Sequence, residues 1–135
     1  MKENIIQEKS FSFAIRIVQL CRFLREELRE YDLARQVIRS GTSIGANVEE
    51  AIAGASRRDF LNKLHIARKE ARETLYWLRL LVASETVKQS RLDQLSSDCE
   101  EIIRILTSII LTSQQHVAEY GLEYGESNSS SEISN

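Results

Sequence analysis

The sequence predicts an all-α fold, an up-down-up-down antiparallel four-helix bundle. Its 135 residues include no proline and only five glycines, while 42% are apolar and 28% are charged. This composition favours long helices over sheets with many turns. Apolar residues recur every three or four positions through four segments. Since only short polar connections separate the segments, neighbouring helices are expected to run antiparallel within one domain.

The first two predicted helices meet near Tyr31 and Asp32. The first runs from about residue 5 to residue 30, and the second from about Asp32 to Gly54, a natural C-terminal stop. The stripe of the first helix is Ala14, Ile17, Val18, Cys21, Leu24 and Leu28. One face of the second carries Val37, Gly41, Ile44, Val48 and Ile52 at helical spacing.

The third predicted helix begins after Ser56, because Ser56-x-x-Asp59 resembles a capping box, and it reaches about Ser84. Its stripe is Phe60, Leu64, Ala67, Ala71, Leu75, Leu78 and Val82. The fourth follows an N-cap at Ser90 and repeats Leu92, Leu95, Cys99, Ile102, Leu106 and Ile109. Residues 1–120 are expected to form the bundle, and the serine-rich residues 121–135 a disordered polar tail.

Two glycines one turn apart mark the second helix as a close-packing element. Each glycine inside a helix costs roughly 0.5–1 kcal/mol relative to alanine. Gly41, Gly45 and the neighbouring Val48 are therefore interpreted as helix-packing residues, placed where another backbone approaches too closely for a side chain.

Apolar residues outside the main stripes suggest self-association. They are Ile66, Trp77, Leu80 and Leu81 on the third helix, with Ile103 and Ile110 on the fourth. Surplus apolar surface usually marks a partner site, and an identical subunit is the commonest partner. The alternative is that these residues only widen the core. Trp77 beside Tyr76 could also stack on nucleic-acid bases, although interface packing is the commoner role of such a pair.

Three motifs carry a resemblance to a known family. They are RSGTSIGANVEEA at 39–51, SRRDF at 56–60 and KEARETLYWLRLL at 69–81. From about Asn4 to Thr112 the chain resembles the bacterial four-helix bundle proteins first noticed as products of intervening sequences in large-subunit ribosomal RNA genes. The resemblance implies a left-handed bundle that assembles into a ring, typically a homopentamer, with no known enzymatic activity.

A related branch of that family comprises accessory proteins of diversity-generating retroelements, which are basic pentamers that bind nucleic acid and a reverse transcriptase. This chain departs from that branch in charge, since its net charge is −2. It also has Gly45 where many members have proline.

The charge is divided along the chain. Residues 1–85 carry a net +3 and residues 86–135 a net −5. The basic cluster of the third helix is Arg57, Arg58, Lys63, Arg68, Lys69 and Arg72, and Arg22, Arg25 and Arg29 add a stretch on the first. Such clusters can neutralise phosphates. A solvated face is the alternative, because Glu70 and Glu73 interrupt the cluster and the chain as a whole is acidic.

Polar residues of the second helix should meet the third. Asn47 and Glu50 lie three positions apart and face Lys63 or Arg68, either as a polar patch or as structural hydrogen bonds between helices. If these two helices are antiparallel, Arg39 should form an ion pair with Glu70 or Glu73.

No enzymatic constellation is recognised. The Glu-x-x-His pairs of a di-iron bundle are missing, because Asn62 precedes His65 by three residues and Ser113 precedes His116. Gly41-x-x-x-Gly45 lacks the ending of a phosphate loop. Cys21 and Cys99 lie on apolar stripes and are expected to be reduced core residues. No metal or cofactor is expected.

The sequence therefore predicts a non-enzymatic, homo-oligomeric helical-bundle scaffold or accessory protein that assists an unidentified macromolecule. The alternative is an RNA- or DNA-binding accessory protein that uses the basic cluster. The absence of a membrane-length apolar run and of a signal peptide predicts a cytoplasmic location and no membrane contact.

Overall fold

The computed structural model describes residues 2–120, which form four helices. They are α1 (Lys2–Glu26), α2 (Tyr31–Ile52), α3 (Arg57–Ala83) and α4 (Gln89–Tyr120). Each helix packs against the next in sequence, and α4 packs back against α1. The predicted all-α four-helix bundle is confirmed. The predicted disordered tail, residues 121–135, lies outside the described residues.

Side-chain pairs establish that neighbouring helices are antiparallel. Between α2 and α3, Arg39 meets Glu73 and Glu50 meets Lys63, so the numbering rises on one helix as it falls on the other. Hydrogen bonds between α1 and α2 and between α3 and α4 follow the same reversal.

The core stripe of α3 follows a heptad phase that passes through a threonine. Its fully buried residues alternate spacings of three and four, and they are Leu64, Ala67, Ala71, Thr74, Leu78 and Leu81. The Thr74 hydroxyl donates to Ser40 Oγ at 2.9 Å across the α2–α3 contact. It also lies 2.8 Å from the carbonyl of Glu70. Because both groups have partners, a polar pair fits in the core without an unsatisfied atom.

This phase corrects two residues predicted to lie at an oligomer interface. Leu81 is buried because the heptad continues from Thr74 through Leu78, a course hidden in the sequence by the polar threonine. Ile110 is buried because the stripe of α4 drifts from Leu106 to Ile110, as expected for a 3.6-residue helix read against a 3.5-residue repeat. Both belong to the core of the single chain.

The helix ends agree only in part with the sequence prediction. Ser56 caps α3 as predicted, since its Oγ accepts from the backbone N–H of Asp59 at 3.1 Å. The first helix ends at Glu26, four residues early, because Arg29 has a φ of 55° that stops the helix. Leu28 therefore lies in the connection and is partly exposed. Ser90 lies inside α4, which begins at Gln89.

Both cysteines are reduced core residues, as predicted. The Cys21 thiol donates to the carbonyl of Ala34 at 3.5 Å, and the Cys99 thiol to that of Ala71 at 3.2 Å. Desolvation by burial raises the pKa of Cys21 to about 11 and that of Cys99 to about 12.

The two helix glycines pack against α1, but in different ways. A Cβ on Gly41 would lie 2.7 Å from Cγ2 of Ile17, a side chain of the core. A Cβ on Gly45 would lie 3.4 Å from the backbone oxygen of Ser10. The close backbone approach predicted for both glycines therefore applies to Gly45, whereas Gly41 makes room for a side chain. Val48 is fully buried on the same helix.

We expect Gly41→Ala to lower the free energy of unfolding by about 1–3 kcal/mol, because the β-branched Ile17 cannot swing away from the new methyl group. Gly45→Ala is the matched control. Its methyl group meets only ordinary contacts, so removing a helix glycine there should leave stability unchanged or raise it by up to about 1 kcal/mol. Urea denaturation measures both variants. Equal losses at the two positions would contradict the distinction.

Candidate interaction surfaces

The α2–α3 surface is organised around Arg39, which bridges two carboxylates of α3. Its guanidinium lies 3.3 Å from Oε1 of Glu70 and also pairs with Glu73. The Trp77 indole N–H donates to the same Glu73 carboxylate at 3.1 Å. The ion pair predicted from the sequence is confirmed. Trp77 is thereby fixed on the outer side of α3 that faces α2.

The Arg39 network shifts the titration of its partners. The hydrogen bond from Arg39, with a second from Trp77, lowers the pKa of Glu73. The same bond to Glu73 raises the pKa of Arg39. Because these groups are largely solvent-exposed, the network orients side chains more than it stabilises the fold.

Asn47 and Glu50 do not form one patch. The Asn47 amide donates to the carbonyl of Ser43 within α2 at 2.8 Å, so its hydrogen bond lies within its own helix. Glu50 pairs with Lys63 of α3 at 2.8 Å, one of the two partners expected for it. Both residues have structural roles at the α2–α3 contact.

The six residues of the basic cluster do not share one environment. Lys63 is paired with Glu50. Arg68 reaches across to α4, where it lies 3.4 Å from the hydroxyl of Thr107. Arg57, Arg58, Lys69 and Arg72 remain exposed. Arg57 stacks over the ring of Phe60 at 5.9 Å.

An exposed apolar patch on α1 was missed by the sequence analysis. Phe11 is 64% exposed and Ile15, one turn later, is 46% exposed. We call these two residues the α1 patch. It borders α2, because Gln7, one turn before Phe11, hydrogen-bonds Glu49. The sequence analysis counted surplus apolar residues only on α3 and α4, although the i, i+4 spacing of Phe11 and Ile15 could have revealed the patch.

The remaining predicted interface residues lie on two different surfaces. Ile66, which is 40% exposed, lies one turn before Glu70 and therefore near the Arg39 network. Trp77 is partly buried there, and Leu80 is partly buried one turn further along α3. Ile103 lies instead on α4 beside Thr107 and Leu111, where a shallow groove forms. Leu111 is 55% exposed and was not predicted.

A polar cleft separates α1 from α4. Its volume is about 300 Å³. Lys9 pairs with Glu101 at 3.3 Å, and Arg16 pairs with Asp98. These ion pairs cross the rim of the bundle above a buried apolar layer.

The arrangement offers no recognisable catalytic chemistry. Within residues 2–120, no group of three or more histidine, cysteine, aspartate or glutamate side chains could hold a metal ion. His65 lies 3.3 Å from Arg68 and 3.4 Å from Gln114 and so belongs to the α3–α4 contact. No helix of the described chain is long and apolar enough to cross a membrane.

Together, the fold and its surfaces define an all-α bundle whose polar groups are paired across helices rather than gathered in a catalytic cleft. The chain belongs to the 23S rRNA-intervening sequence protein family, whose model matches residues 2–108. The resemblance read from the three motifs is thus confirmed. None of the curated proteins compared with it matches.

The chain is also similar to a protein of known structure. This is a protein with unknown function from the S23 ribosomal protein family of Bacteroides thetaiotaomicron, 49% identical over 82% of this chain and 98% of that one, with a TM-score of 0.80. The fold is therefore shared with a relative whose function is unknown.

We expect Arg39→Met to remove a small, pH-dependent increment of stability. The pKa of Glu73 is lower in the folded chain than its ordinary value of 4.5, so the increment is present above that value and is lost as the pH falls through the folded pKa. For an exposed pair it should amount to about 0.2–1 kcal/mol at pH 7.

The measurement is urea denaturation of the wild type and the variant at pH 7 and at pH 3. Arg35→Met is the matched control, since Arg35 pairs only with the highly exposed Asp32. A difference between wild type and Arg39→Met that is equal at both pH values would contradict an ionic origin.

Proposed function

We propose that the protein is a homo-oligomeric helical-bundle scaffold, assembled as a ring, that acts as an accessory subunit for another macromolecule. The observation that carries the proposal is the exposure of the α1 patch. Phe11 and Ile15 form an apolar strip on a helix whose opposite side is buried in the core. Large apolar side chains grouped on the surface of a soluble domain are typical of protein contacts.

A ring, rather than a two-fold dimer, is supported by the position of the exposed apolar residues. The α1 patch borders α2, whereas Ile103 and Leu111 lie on α4 towards α3. Two different apolar surfaces on one chain suit a head-to-tail contact, in which one surface of each copy meets the other surface of the next. Such contacts close into rings when the rotation permits. The family resemblance gives five as the expected number of copies.

We expect Phe11→Glu/Ile15→Glu to reduce the solution mass measured by light scattering to that of a single chain or a small intermediate. Two carboxylates in the α1 patch would have to be desolvated on assembly. Ser12→Glu/Gln19→Glu adds the same charge at exposed positions of α1 and should leave the mass near five chains. A monomeric wild type, or an assembly unaffected by the patch variant, would refute the proposal.

Nucleic-acid binding through the basic cluster is a second candidate, and one observation favours it. Glu70 and Glu73, which interrupt the cluster in the sequence, are both engaged by Arg39 from α2. Among the side chains that the structure describes, Arg58, Lys69 and Arg72 form no ion pair and are exposed. They would therefore be available to phosphates. Arg104 of α4 is also exposed, and it lies beside Thr107, the contact of Arg68.

If these residues contact phosphates, Arg58→Glu/Arg72→Glu should weaken binding to a fluorescent structured RNA and flatten its salt dependence by roughly one unit of log–log slope for each lost contact. Fluorescence anisotropy between 50 and 200 mM salt, the range over which such contacts titrate, is the measurement. Arg35→Glu/Lys88→Glu, at the other end of the bundle, is the charge-matched control. Equal losses for both variants would indicate only a change in net charge.

A further inference from the structure

The end of the bundle formed by the α2–α3 connection carries a groove with an apolar floor and a basic rim. It is lined by Ala51, Ile52, Gly54, Ala55, Ser56, Arg57 and Phe60, and its volume is about 400 Å³. Ile52 is exposed in it and Phe60 partly so. We call it the corner groove. Arg58 adjoins it and is exposed.

The register of α3 and α4 brings the end of α4 to this groove. Ala71 contacts Cys99, and one to two turns towards the α3 start His65 contacts Gln114. Continued in the same direction, the register puts Arg57 and Arg58 beside the last turns of α4. That helix ends at Tyr120. The residues that follow Tyr120 therefore leave the bundle next to the corner groove.

The sequence after Tyr120 is complementary to the groove. Residues 121–135 contain three glutamates, Glu123, Glu126 and Glu132, and no lysine or arginine. Leu122 and Tyr124 alternate with the first of these acids. The segment thus offers apolar groups for Ile52 and Phe60 and carboxylates for Arg57 and Arg58.

The distances permit the contact. Adjacent helices in a bundle lie about 8–10 Å apart, and five residues of extended chain span up to about 17 Å. Residues 122–126 can therefore cross from the end of α4 to the corner groove with no change in the bundle.

We propose that the segment Leu122–Glu126 docks in the corner groove of its own chain. Its carboxylates pair with Arg57 and Arg58, and Leu122 and Tyr124 cover Ile52 and Phe60. The docked segment covers the α3 end of the basic cluster, so it competes there with any polyanion. The proposal does not depend on self-association, because the groove and the segment belong to one chain.

A nitroxide attached to Ser127→Cys in the full-length protein tests the contact. The two native thiols are buried, so the label goes to the new cysteine. In nuclear magnetic resonance spectra at low salt, the backbone amide signals of Arg58 and Phe60 should lose most of their intensity relative to the reduced label. The amide of Lys88, at the opposite end of the bundle, should keep its intensity.

Charge reversal distinguishes docking from proximity alone. In Arg57→Glu/Arg58→Glu the signals should recover, and they should also recover near 1 M salt, where the Debye length is only about 3 Å. Acidic residues at a helix N-terminus are favourable for the helix, so this variant is expected to fold. Arg35→Glu/Lys88→Glu, with the same change in net charge, should leave the signal loss intact.

Three results would overturn the proposal. The first is undiminished amide intensity in the labelled wild type. The second is a signal loss that survives Arg57→Glu/Arg58→Glu. The third is a loss that appears in protein refolded from a mixture of spin-labelled and isotope-labelled chains, because the segment would then occupy the groove of a neighbouring copy.

Discussion

The contact of Ile17 with Gly41 determines how closely α1 and α2 approach, and the arrangement of the other helices depends on it. A Cβ at Gly41 would come within 2.7 Å of Ile17, so any other residue there would push the helices apart. The same approach brings Ser10 against Gly45 one turn further along. With α1 held this closely to α2, its outer side is left uncovered, and Phe11 and Ile15 are exposed on it.

The α2 helix makes two kinds of contact on its two sides. Towards α1 it presents glycine and alanine, and the backbones are close. Towards α3 it presents polar groups that are satisfied across the contact, with Ser40 and Thr74 in the core and Arg39 at the rim. A buried polar pair costs little when both hydroxyls are bonded, and it restricts the two helices to one register. The register in turn places Glu50 opposite Lys63.

The sequence predicted the fold and the α2–α3 pairing because both follow from spacing alone. Arg39 and Glu73 had to meet once a short connection made the helices antiparallel. It failed where a polar residue occupied a core position: Thr74 hid the heptad phase and so misplaced Leu81. It also failed where a backbone conformation ended a helix, as at Arg29, since no glycine or proline marks that position. The α1 patch was missed because exposure depends on which faces the neighbouring helices cover.

The two buried cysteines give the bundle a built-in chemical clock. The thiolate is the reactive form, and burial raises the pKa of Cys21 to about 11 and that of Cys99 to about 12, so neither reacts while the helices are closed. Labelling by a thiol reagent therefore proceeds only through openings of the structure. Because Cys21 bonds to α2 and Cys99 to α3, their separate labelling rates measure how often each helix pair parts.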